Sequence, residues 1–327
     1  MDFRKVIEFS SGSYVVTLPK AWIHANKIQK GDSMAMEEVK DHLVLFPNNK
    51  ERTKTDSYIS ISVEHKLLEQ LQIEIITAYL NNCSIIEITS KKFDDTALDV
   101  KSILRNLSGM EIIEQSASKI VAKDILDISS ISVQTIIRRM DTLTKSMMDD
   151  TAAVFAGTGS EKNIEERDVD VNRSYHLGCR VIKNAFDDSM VMRKLQMTPW
   201  QLMNSRMILL RIEEIADRQK RICRLISQAK FQGNVLKELR DLMESLRQRY
   251  NGAMKAYYTN DAALALSIEM GTKAYVEKLN KLMLRTISGK KQHKKEEDLL
   301  ASLSIIDYTK SCFAFTRYIA RIVMSTE

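Results

Sequence analysis

The stretch Arg211-Ile212-Glu213-Glu214-Ile215-Ala216-Asp217 sets apolar side chains at 212, 215 and 216 and carboxylates at 213 and 217. Spacings of three and four gather the apolar set on one face of an α-helix and bring the two carboxylates together on another. The same period extends outward to 198–229, a predicted helix bounded by Met197-Thr198-Pro199 before it and by Phe231-Gln232-Gly233 after it. It continues through 130–156, 162–189, 233–258, 260–287 and 296–325, with further breaks at Gly157-Thr158-Gly159-Ser160 and in the polar run from Ser288 to Glu297. Long helices joined by short turns are antiparallel neighbours, and the simplest arrangement is two successive three-helix bundles, 129–230 and 231–327. A weak internal duplication, 130–229 against 233–325, fits that arrangement.

Upstream the period changes. Residues 57–126 alternate strand and helix: strand 58–63, helix 64–80, strand 84–89, helix 97–107, then strands 111–115 and 119–123 as a closing hairpin. That βαβαββ order predicts a small α/β sandwich with its helices on one face of the sheet. Residues 51–56, Glu-Arg-Thr-Lys-Thr-Asp, are entirely polar and read as a linker. Residues 1–50 hold four short β-type runs (6–9, 14–18, 33–37, 42–46) separated by Ser-Gly, Lys-Gly-Asp and Lys-Asp turns. One short helix, Lys20 to Asn26, opens after Pro19, whose fixed backbone angle suits a first helical position. The expected protein is therefore multidomain and mainly α, with the β-rich unit 1–50, the α/β unit 57–126 and the two bundles in order.

At 327 residues, with 44% hydrophobic and 28% charged side chains, the chain has the composition of an ordinary globular protein. Three prolines and ten glycines leave room for long helices. No run approaches the roughly 18 apolar residues that span a bilayer, so no membrane insertion and a cytoplasmic location are expected. Cys83, Cys179, Cys223 and Cys312 are far apart and read as reduced, buried small hydrophobes rather than a disulfide framework or a metal knuckle. The 17 methionines recur at core-like helical positions such as Met140, Met147 and Met207 and read as adaptable core filling. Charge is uneven: residues 1–128 hold 16 Lys/Arg against 19 Asp/Glu, net −3, and residues 129–327 hold 33 against 24, net +9. The basic surplus lies in the helical half, and its densest run is Lys290-Lys291-Gln292-His293-Lys294-Lys295, a solvated loop or a set of sequence-independent phosphate contacts.

Two resemblances carry function. Arg4-Lys5-Val6, Gly12-Ser13-Tyr14-Val15-Val16-Thr17-Leu18-Pro19-Lys20, Lys30-Gly31-Asp32 and a last apolar strand, in that order, resemble the AbrB/SpoVT (MazE-like) swapped-hairpin family. That family's half-barrels interlock as dimers and bind DNA. The resemblance implies a swapped-hairpin β-barrel at residues 1–50, a homodimer formed through it, and DNA contacts from Arg4, Lys5 and Lys20, with hydrogen bonds from Ser11 and Tyr14. Exchange of hairpins is physically reasonable, because about 45 residues bury too little surface alone. A barrel that only dimerises stays open, since residues 1–55 carry nine basic and seven acidic side chains, net +2.

In the helical half, Ser132-Val133-Gln134-Thr135-Ile136-Ile137-Arg138-Arg139-Met140, Asp168-Val169-Asp170-Val171-Asn172-Arg173-Ser174-Tyr175 and the 211–217 stretch resemble the PhoU family of phosphate-uptake regulators. An AbrB-like module ahead of a PhoU-like one resembles archaeal PhoU-type regulators. Family helices carry Glu/Asp-xxx-Asp motifs that bind metal clusters, which implies a metal ion of the iron or zinc class held by Asp168, Glu213 and Asp217. The match is full at Glu213 and Asp217. Asn172 stands where the family favours aspartate, and Asp307-Tyr308-Thr309-Lys310-Ser311 lacks the second carboxylate, so the implied site is confined to the first bundle. Beside Arg211, Arg218 and Arg221 the same carboxylates also read as a solvated, salt-bridged face.

Other motifs carry less. Gly157-Thr158-Gly159-Ser160 lacks the Gly-Lys-Ser/Thr of a phosphate loop and has no strand before it. His24, His42, His65, His176 and His293 are scattered, and only His176 sits beside the acidic cluster. With no catalytic constellation, the chain is not expected to be an enzyme. The resemblances imply a DNA-binding transcriptional regulator of phosphate uptake and homeostasis, its bundles sensing phosphate status or a metal. The alternative is a non-DNA-binding interaction protein that regulates a phosphate transporter or sensor kinase, with the amino-terminal barrel only for dimerisation.

Overall fold

The computed structural model describes residues 3–39, 41–47, 57–93, 96–226, 228–229, 231, 234–289 and 296–325. The polar linker 51–56, the Gln232-Gly233 break and the basic run 290–295 lie outside the described residues. Two compact units emerge, Met1–Thr55 and Asp56–Glu327.

In the first unit, β1 (Ile7–Ser10) pairs antiparallel with β2 (Ser13–Val15) across a turn that holds Gly12 at φ +88°, a left-handed angle that glycine adopts without strain. Helix α1 (Lys20–Ala25) follows Pro19, and β3 (Met34–Val39) pairs antiparallel with β4 (His42–Pro47). The expected barrel is one that two copies close together; within one chain these strands form two separate hairpins, and no closed barrel exists among the described residues. The physical reason is size. Phe46 is the one described side chain of this unit that is fully buried, while Phe3, Val6, Phe9, Tyr14, Met36 and Leu43 are all exposed.

In the second unit, β5 (Tyr58–Ser62), α2 (Leu68–Leu80), β6 (Ile85–Thr89), α3 (Thr96–Arg105), β7 (Met110–Gln115) and β8 (Lys119–Asp124) follow the expected βαβαββ order. The sheet order is β5-β6-β8-β7, with β5 and β6 parallel and the other pairs antiparallel. Alternate residues Ile61, Ile86, Ile88, Ile120 and Ala122 point to one face and pack with Leu71, Ile75, Val100 and Leu104 of the two helices. Helix α2 starts four residues later than its pattern suggests. His65 takes a left-handed φ of +60°, and the Glu64 carboxylate accepts the Lys91 N–H at 2.8 Å, which ties this turn to the next loop instead of a helix.

Then come α4 (Val133–Phe155), α5 (Glu161–Asp187), α6 (Ser189–Leu195), α7 (Pro199–Ile226), α8 (Val235–Thr259), α9 (Ala262–Ser288) and α10 (Glu296–Met324). Side-chain caps from Ser132 and Asp261 start α4 and α9. Helix α6 breaks what the sequence pattern reads as one helix and a turn: the Asp188 side chain caps it by accepting the Met190 N–H, and Gln196 ends it in a left-handed conformation. Helices α4, α5 and α7 pack on one another, as do α8, α9 and α10, and α7 lies along α10 while α4 meets α8. One apolar core therefore runs through both sets, from Ile136, Met140, Ile208 and Ile212 to Leu246, Tyr250, Ile305 and Phe313.

The α/β layer is joined to α5 by a buried cation. Arg180 is 1% exposed, pairs with Asp124 at the end of β8, donates from Nε to Asn82 Oδ1 at 3.1 Å and lies 4.4 Å over the Tyr79 ring. Among the described residues no helix is long and apolar enough to cross a membrane.

Candidate functional site

Packing of α5 against α7 brings Asp168 together with Glu213 and Asp217. Asp168 is buried, and its Oδ2 accepts from Lys220 Nζ at 2.6 Å and from Asn172 Nδ2 at 3.2 Å. The same ammonium lies 3.4 Å from Asp217 Oδ1. Asp217 Oδ2 accepts from Arg218 at 2.9 Å and from Arg221 at 2.7 Å. Glu213 is left as the carboxyl with the strongest reason to stay protonated. Burial first, then the charges of Asp217, Glu214 and Asp168, push it up to about 7, with Lys220 opposing.

These residues do not fit the implied metal cluster. A hard divalent ion needs several oxygens about 2.0–2.6 Å away, turned toward it. Here Asp168 Oδ2 is turned to an ammonium and an amide, and the two oxygens of Asp217 to the same ammonium and to two guanidiniums. Among the described residues, no group of three or more His, Cys, Asp or Glu is arranged to hold a metal ion. In the second bundle, Ser311 is spent on the backbone carbonyl of Asp307, at 3.0 Å.

The five residues assigned to DNA contact share the first unit. Arg4 and Lys5 precede β1, Ser11 lies in the β1–β2 turn, Tyr14 is in β2 opposite Glu8, and Lys20 opens α1; all are exposed.

A second surface was not singled out by its sequence. Helices α7 and α10 run antiparallel, with Trp200 Nε1 donating to the Ser325 carbonyl at 2.9 Å near one end and Arg218 over Tyr308, at 5.3 Å, toward the other. Between them, the Arg211 guanidinium lies 4.7 Å from the Tyr318 ring centre and 5.5 Å from that of Phe315. Arg321 and Arg317 approach the same Tyr318 ring at 5.6 and 6.0 Å. Trp200, Met203 and Tyr318 are exposed along this seam. The signal available in the chain was a recurrence at 200, 203, 207, 211, 214 and 218 on one helical face, but the pairing with α10 needs the fold.

Burial pushes the thiols of Cys179 and Cys223 up to about 11 and that of Cys312 to about 12, leaving no thiolate near neutral pH. His176 is held below its ordinary value by burial and by Arg206, and its ring centre lies 5.8 Å from that of Tyr175.

The second unit combines two packed sets of helices with a small α/β layer, a cation-filled acidic cluster and an arginine–aromatic face. No protein-family model matches the chain, and no curated protein matches it. Among solved structures, the crystal structure of PhoU from Pseudomonas aeruginosa is similar over 59% of this chain and 93% of that one, with a TM-score of 0.45 and 14% identity.

Proposed function

We propose that the protein is a non-enzymatic regulator of phosphate homeostasis that acts by binding other proteins through its helical half, and that its amino-terminal hairpins hold it as a homodimer. The observation that carries the binding role is the α7–α10 face, where Trp200, Met203, Tyr318 and Arg321 are exposed beside the half-buried Arg211 and Phe315. Tryptophan, tyrosine, methionine and arginine are the side chains enriched at the buried centres of protein interfaces. The phosphate assignment rests on the likeness of the segments 132–140, 168–175 and 211–217 to PhoU-type regulators. Partners of that class are a phosphate transporter component or a sensor kinase.

Dimerisation is supported by the first unit's lack of a core. Nine large apolar side chains are exposed among the described residues of this unit of about 45 residues; they need a covering, and a second copy supplies it while pairing strand edges. DNA contact from Arg4, Lys5, Ser11, Tyr14 and Lys20 is a second reading, favoured by their common exposure on the unit that would dimerise.

The test is phosphate uptake and the phosphate-starvation response in cells lacking the protein, complemented with the full chain or with Trp200→Ala, Arg211→Ala and Tyr318→Ala combined. Loss of regulation, restored by the full chain and not by the folded triple variant, is expected. Unchanged uptake in the deleted cells overturns the proposal. Titration of labelled DNA at several salt concentrations, with the full chain and with residues 56–327, separates the second reading: salt-sensitive binding lost with residues 1–55 would favour it.

A further inference from the structure

We infer that Lys220 is the built-in cation of the α5–α7 acidic cluster: its ammonium clamps the two helices without a divalent metal, and its removal opens a divalent-cation site among Asp168, Glu213 and Asp217.

Three observations carry this. The first is position: Lys220 Nζ lies 2.6 Å from Asp168 on α5 and 3.4 Å from Asp217 on its own helix, bridging the two carboxylates that would flank a metal. The second is Asn172. One turn after Asp168, where a further carboxylate would add charge, its amide donates to the same Asp168 oxygen that Lys220 uses, at 3.2 Å. An oxygen already accepting from an ammonium and an amide is not offered to a metal. The third is charge. Arg218 and Arg221 take the remaining oxygen of Asp217, so the ionised members already face three cations before any ion is added. A lysine three residues after Asp217 reaches along the helix to it, and its long stem crosses to α5. Take the ammonium away, and Asp168 and Asp217 lose the cation they share, with Glu213 near enough to feel the charge of both. Buried carboxylates in that state need a new cation or protons.

The experiment uses the full chain, purified without chelator, with metal content read by mass spectrometry and with zinc(II), manganese(II) and iron(II) titrated by calorimetry and thermal melting. Wild-type protein is expected to carry no stoichiometric metal and to melt at a temperature that neither chelator nor added ion changes. Lys220→Met, which keeps the stem and removes the charge, is expected to bind a divalent ion roughly 10–100-fold tighter than wild type, the range over which groups around metal ligands change affinity. Adding Asp168→Asn to Lys220→Met should abolish that gain, and Lys220→Arg should not produce it. One equivalent of metal in wild-type protein, lost on Asp168→Asn, overturns the inference, and this arm stands even if Lys220→Met does not fold. A folded Lys220→Met chain that gains no affinity for any of the three ions overturns it as well.

Discussion

At the residue scale, Glu213 has the clearest pH signature. Its ordinary value is 4.5 and the fold raises it to about 7, through burial and then the neighbouring carboxylates. Between those values the folded chain holds a proton that the unfolded chain has released, so this group's contribution makes stability fall as pH rises from 4.5 to about 7. Glu213→Gln, which keeps the shape and cannot ionise, should flatten the melting temperature across that window and raise it above pH 7. Arg180 gives a second prediction. Both it and Asp124 are almost wholly buried, so Arg180→Met alone strands a carboxylate and should cost about 3–5 kcal/mol in urea unfolding. Arg180→Met with Asp124→Leu should recover most of that loss, because two apolar groups leave no unpaired charge. The carboxylates of the α7 stretch were legible in the chain as a pair four apart. Lys220's reach to Asp168, 52 positions earlier, was not, since no local pattern specifies which helix faces which.

At the element scale, the long helices were legible within a few residues because each buries one continuous apolar face, and periodicity reports exactly that geometry only where burial is one-sided. Departures occur where a polar side chain engages the backbone. Asp188 caps α6 just where the helix predicted over 162–189 was to end, and Glu64 holds the turn that delays α2. Buried polar contacts between elements were equally hidden. Asp141 of α4 is 4% exposed and accepts from Lys145 at 2.8 Å and from the Tyr258 hydroxyl of α8 at 3.0 Å. Burial first, then the Asp141 charge, holds the Tyr258 phenol far above its ordinary value, so it remains a donor at every accessible pH. Tyr258→Phe removes a hydrogen bond to a charged acceptor where the two helix sets meet. It should destabilise the protein by about 1.5–3 kcal/mol, read by denaturant unfolding.

At the scale of the whole molecule, the two units differ in how completely they bury themselves. The second has an apolar core in its α/β layer and another running through the long helices, with Val191 of the short α6 buried in it. The first buries Phe46 and leaves Phe3 and Phe9 at 88% and 80% exposure. If the first unit holds the proposed dimer, removing residues 1–55 should leave a monomer in sedimentation while the helical circular-dichroism signal and its melting transition persist. A truncated chain that stays dimeric would place the self-association in the helical half instead.

What the sequence determined by itself was the class of each segment: strand-rich, then alternating, then helical, with carboxylates and arginines at helical spacing along α7. These follow from local steric preference and from the period at which apolar residues recur, and both act over a few neighbouring positions. Only the tertiary structure decided that the two helix sets share one core, that Arg180 locks the α/β layer to α5, and that an ammonium rather than an open space lies between Asp168 and Asp217. Those outcomes depend on packing between residues dozens of positions apart, where the desolvation of a charge selects its partner by distance in space.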